Sequence, residues 1–74
     1  MARLIRLDRT GHTTLAEWRT DDAPTRQAAV EAFRRELDAG MVASVSHDDG
    51  TAEVVRELPA DAELVVLRRP IAGG

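Results

Sequence analysis

Apolar and polar residues alternate at the start of this chain. In Ala2-Arg-Leu-Ile-Arg-Leu-Asp8, Ile5 and Leu7 fall on one face of an extended segment and Leu4 on the other, the period-two signature of a strand. Asp8-Arg9-Thr10-Gly11 then supplies turn chemistry, with Gly11 free to take positive φ. A Thr-rich segment, His12 to Thr20, reads as a second strand ended by Asp21-Asp22, and the two form a hairpin. With Thr14, Ala16 and Trp18 toward the core, the small Ala16 leaves room for the large Trp18.

The period then lengthens. Ala29, Val30, Phe33 and Leu37 make one helical stripe, while Arg26, Glu31, Arg34, Arg35 and Asp38 fall opposite. Asp22 is placed as N-cap, Pro24 is tolerated in the first turn, and Gly40 is placed to stop the helix. Beyond it, Met41 to Ser46 predicts a third strand, Asp48-Asp49-Gly50 a hairpin turn, and Thr51 to Leu58 a fourth strand. Pro59-Ala60-Asp61 interrupts the chain, and Glu63 to Arg69 predicts a fifth strand. Its Leu64-Val-Val-Leu67 run does not alternate, as expected of a strand covered on both faces or central in its sheet.

The order β-β-α-β-β-β predicts an α+β fold: a mixed sheet of four to five strands packed on one helix, with the last strand lying parallel to the first and the helix as the crossover. That arrangement is a β-grasp. Ile5, Trp18, Val30, Phe33, Leu37, Val66 and Leu67 are the expected core, in one domain over residues 1–69 followed by a flexible tail, 70–74.

Composition narrows the function. Seventy-four residues make one small, monomeric domain, and with no cysteine there is no disulfide, thiolate zinc site or thiol nucleophile. A 43% apolar and 31% charged content is that of a folded globular chain, not a disordered one. A net charge of -3 argues against a nucleic-acid partner, because phosphate neutralisation dominates such binding. No apolar stretch has membrane-span length and no signal-peptide core is present, which predicts a cytoplasmic protein without a membrane partner. His12 and His47 sit in or beside turns with no third group converging on them, and Asp48-Asp49 reads as a turn. No catalytic residue and no metal site is expected, and the chain is not read as an enzyme.

Two stretches carry a resemblance. Thr10-Gly-His-Thr-Thr-Leu-Ala-Glu-Trp18 resembles the first hairpin of ubiquitin, with a Thr-Gly turn leading into a Thr-rich strand that ends before an acidic helix cap. Glu63-Leu-Val-Val-Leu-Arg-Arg-Pro-Ile-Ala-Gly-Gly74 has the double arginine of a ubiquitin tail. Its Pro70-Ile-Ala-Gly-Gly74 end is similar to that of the molybdopterin-synthase small subunit and other β-grasp sulfur carriers. The stretch from Gly40 to Pro59 is shorter than in ubiquitin and lacks its extra short helix, so the chain looks closer to a bacterial ubiquitin-like or sulfur-carrier protein.

The resemblance implies a protein modifier or sulfur carrier. Its Gly74 carboxylate would be adenylated by a partner, an E1/ThiF-like adenylating enzyme using MgATP. Transfer would follow, to an acceptor protein or a sulfur-transfer enzyme. The chain itself would hold no cofactor. Gly73 and Gly74 are the expected conjugation and adenylation residues, since glycine permits close backbone approach. Arg68, Arg69, Ile71 and Leu4 are the expected partner contacts, the arginines offering planar donor forks and Leu4 an exposed apolar side chain. The alternative is a non-covalent β-grasp interaction module with no reactive tail. All ten basic residues are arginine, so no ε-amine is available for self-conjugation, although GC-rich codon usage produces the same composition.

Overall fold

The computed structural model describes residues 1–59 and 61–70. It contains strands β1 (Ala2–Asp8) and β2 (Gly11–Trp18), helix α1 (Ala23–Asp38), and strands β3 (Val42–Ser46), β4 (Ala52–Val55) and β5 (Leu64–Arg68). The strands form one mixed sheet in the order β2-β1-β5-β3-β4. β1 pairs antiparallel with β2 and parallel with β5, and β3 pairs antiparallel with both β4 and β5. The fold is therefore α+β, one helix on a five-stranded mixed sheet, with the non-alternating run Leu64–Leu67 at its centre.

Both hairpin turns are locked the same way. Asp8 Oδ1 accepts hydrogen bonds from the Thr10 backbone N–H (2.8 Å) and hydroxyl (2.6 Å). Asp49 Oδ1 accepts the same pair from Thr51, at 3.0 and 2.7 Å. The charged form of each carboxylate is favoured: the threonine hydroxyl and then its N–H hold both aspartates below the ordinary carboxylate range.

Asp22 is the N-cap of α1, but its side chain makes no cap hydrogen bond. Thr25 does the local work instead: its hydroxyl donates to the Asp22 carbonyl and accepts the Arg19 N–H, both at 3.1 Å. At the other end Gly40 takes φ 96°, and the N–H groups of Gly40 and Met41 donate to the carbonyls of Leu37 and Glu36 at 3.0 Å. This is a Schellman closure, for which a residue without Cβ is the natural choice.

The core lies between α1 and one face of the sheet: Ala2, Leu4, Trp18, Ala29, Phe33, Ala43, Val45, Val65 and Leu67 are buried. Three expected core residues, Trp18, Phe33 and Leu67, belong to it. Leu37 packs against it from a partly buried position, and Ile5, Val30 and Val66 are only half-buried. β1 alternates as its pattern predicts, but the face turned inward is that of Ala2 and Leu4, not that of Ile5 and Leu7. Leu4 is paired with Val65 and Ala2 with Trp18, and those pairs face the helix. Ile5 and Leu7 therefore fall on the opposite face.

A bulge explains a second difference. The β1–β2 register slips between Leu4, opposite Ala16, and Ile5, opposite Thr14, so Leu15 is an extra residue on β2. Both Leu15 and Ala16 then pack on the core, while Thr14, expected inside, is exposed. β4 is also shorter than expected. It ends at Val55, the chain bends at Arg56-Glu57, and Leu58 turns back to pack against the core.

Candidate functional site

The end of β5 is the structural origin of the expected functional segment. β5 is fixed by a parallel ladder to β1 and an antiparallel ladder to β3, and its last residue, Arg68, pairs with Val42. Arg68, Arg69 and Pro70 are exposed. Pro70 carries no N–H, so it cannot donate a further rung to the ladder. The expected contact Ile71 and the expected conjugation residues Gly73 and Gly74 lie outside the described residues.

Leu4 is a correction. It was expected to offer an exposed apolar contact, yet its exposure is 0% and it is part of the core beneath α1. The exposed apolar surface belongs to its neighbours on the strand. Strand alternation puts Ile5 and Leu7 of β1, Leu64 and Val66 of β5, Val42 and Ser44 of β3 and Val54 of β4 on the face away from the helix.

One row crosses that face from edge to edge, Thr14, Ile5, Val66, Ser44 and Val54, each directly opposite the next. Leu7, Leu64 and Val54 are 38%, 41% and 65% exposed. Among the described residues no second helix covers this face. The same face carries Arg3 and Arg68, with Glu17 opposite Arg3. The face is thus mainly apolar, with Arg3 and Glu17 beside the start of β5 and Arg68 at the point where β5 ends.

Other charges are placed differently. Arg6 points to the helix side and its guanidinium meets Glu36 Oε1 at 3.2 Å, tying β1 to α1. His47 Nε2 lies 3.0 Å from Glu53 Oε1 across the β3–β4 hairpin, so this turn histidine has a partner. Neither pair was legible from spacing, because the partners are separated in sequence and joined only by the register. Among the described residues no cluster of His, Asp or Glu has the makings of a metal site, and no helix is long and apolar enough to cross a membrane.

Compared with protein-family models, curated proteins and solved structures, the chain matches none.

Proposed function

We propose that this chain is a β-grasp protein of the ubiquitin-like or sulfur-carrier kind, acting through Gly74. The observation that carries the reading is the position of β5. A strand held on both sides in the middle of the sheet leads, past a proline that cannot continue it, into the sequence Ile71-Ala-Gly-Gly74. A strand anchored on both sides, followed by a short segment that finishes on two glycines, is what an adenylating enzyme needs in order to bring a carboxylate to a nucleotide. The sheet order and the single covering helix agree with a β-grasp.

In the proposed reaction a Gly74 carboxylate oxygen attacks the α-phosphorus of MgATP, held by a partner of the E1 or ThiF type. Pyrophosphate leaves and a mixed anhydride with AMP forms. A sulfur nucleophile then attacks the acyl carbon and AMP departs, giving a thioester or thiocarboxylate. Transfer to an amine of an acceptor protein is the later alternative fate. The reading requires that Gly74 carry a free carboxylate in the mature protein. Arg68 and Arg69, exposed at the root of this segment, would offer planar donor forks to carboxylates of the enzyme.

Pyrophosphate exchange with a cognate adenylating enzyme tests this. Exchange is expected with the intact chain and is lost when Gly73-Gly74 is deleted or one residue is added after Gly74. Equal exchange by the deletion variant overturns the reactive-tail reading. A second reading, a non-covalent interaction module, is favoured by the uncovered face bearing Ile5, Leu7, Leu64, Val66 and Val54. It predicts partner binding that survives the same deletion.

A further inference from the structure

The sheet ends at β4, which pairs with β3 on one side and with nothing on the other among the described residues. Half of its backbone N–H and C=O groups therefore point outward, the condition for adding a strand. Beside the C-terminal end of β4 is a cavity of about 340 Å3. Its walls are Leu37 from the last turn of α1, Met41 just after it, Val42 at the start of β3, and Val54, Val55 and Arg56. Every one of these is apolar except Arg56. Arg56 is exposed, and among the described residues no carboxylate lies within ion-pair distance of it. Val54, on the same edge, is 65% exposed.

We propose that the β4 edge and this cavity bind an extended segment of a partner protein, one that pairs with β4, seats one apolar side chain in the cavity and sets a neighbouring carboxylate on Arg56. The three demands come from three features: unpaired backbone, an apolar hollow, and a lone guanidinium at its rim. The guanidinium decides the chemistry, because an acidic group supplies what the cavity lacks.

A second copy of this chain fits poorly. Two copies related by a two-fold axis pair the same edge antiparallel, and opposite residues must share a face. Centring on Val54 sets Glu53 against Val55 and Ala52 against Arg56. Centring on Glu53 sets that carboxylate against its own copy. Centring on Val55 sets Val54 against Arg56 and Glu53 against Glu57. None of these registers places a carboxylate opposite Arg56, and two of them oppose like charges. Four paired residues also bury far less surface than a stable dimer needs.

The probe is a set of acetylated, amidated peptides Ser-Val-Thr-X-Asp, with X as Val, Ile, Leu or Phe, titrated at millimolar concentration into the 15N-labelled full chain. The expected result is amide shifts concentrated at Ala52–Arg56 and Met41–Val42 with at least one peptide. Changing its Asp to Asn, or Arg56→Ala in the protein, should weaken binding roughly three- to five-fold, the scale of an exposed ion pair. The Asn peptide on the Arg56→Ala protein should show no further loss. The proposal is overturned if no peptide shifts those amides, if the shifts fall on Ile5, Leu64 and Val66 instead, or if charge removal on either side leaves affinity unchanged. Concentration-dependent β4 shifts without peptide would overturn it in favour of self-association. None of these outcomes depends on Gly74, so the test stands apart from the reactive-tail reading.

Discussion

The two faces of the sheet are built from the same five strands, yet they do opposite things. Toward α1, Ala2, Leu4, Trp18, Ala43, Val45, Val65 and Leu67 are buried. Away from it, Ile5 and Val66 are half-covered by their neighbours, and Leu7, Leu64 and Val54 are open to solvent. Apolar content alone does not separate the faces. The helix does: one helix covers one side, so only that side acquires a close-packed core, and buried and solvent-facing side chains alternate along β1, β5 and β3.

The largest effect expected from this division is at Phe33, 1% exposed and the principal helix residue over the sheet. Phe33→Ala should lower unfolding stability by about 3–5 kcal/mol, a large part of what a domain of this size possesses. Chemical denaturation checks it, and a near-wild-type midpoint would mean that the helix does not cover this face. The comparison is sharpened by neighbours on β1. Leu4→Ala should cost about 2–5 kcal/mol, as core truncations do. Ile5→Ala, half-buried on the open face, should cost less, about 1–2 kcal/mol, because part of the side chain stays in contact with water and its loss leaves no closed cavity. Equal losses at the two positions would break the assignment of faces.

A smaller effect is expected at the helix end. Gly40→Ala places a Cβ in open space but at φ 96°, so the cost is backbone strain of about 1 kcal/mol, not a clash. Smallest of all is the contribution of the hairpin turns. Asp8 and Asp49 have carboxyls held below their ordinary range by Thr10 and Thr51, so each stabilises the fold above the unfolded-state value, about pH 4. That contribution is lost as the pH falls through the lower folded-state value. Asp8→Asn should flatten the acid limb of a stability–pH curve slightly and leave the region near neutrality with only a small offset. A steeper acid limb in the variant would contradict the turn geometry.

Much of the architecture could be read in advance, because the signals were local. Gly11, Gly40 and Gly50 mark chain reversals and all take positive φ. The unbroken Leu64–Leu67 run pointed to a central strand. Which face of β1 is inward was not local information. Leu4 and Ile5 are equally apolar, and the choice is made by register with Val65 and Trp18. The bulge at Leu15 was hidden for the same reason, since an extra residue appears only when two strands are laid side by side. The differences at Leu4 and Ile5 are therefore one, an inversion of parity in β1, whereas Ala16 and Trp18 face inward as expected and only the bulge turns Thr14 out. The expected site divides along the same line. Arg68 lies on β5 as the strand pattern predicts, whereas Leu4 is buried and the exposed apolar side chains of this face are Leu7, Leu64 and Val54. The edge of β4 with its Arg56-rimmed cavity left no mark in the sequence, because Leu37, Met41 and Val54 converge only in the fold.

The central claim concerns Gly74, and intact-mass spectrometry tests it most directly. The purified chain would be incubated with an extract of the cell that makes it, with and without MgATP. The account predicts an ATP-dependent product at Gly74, either one sulfur in place of one oxygen or a single linkage to an acceptor amine, and no such product from a variant lacking Gly73-Gly74. An unchanged mass with ATP present, or the same products from the shortened variant, would contradict it.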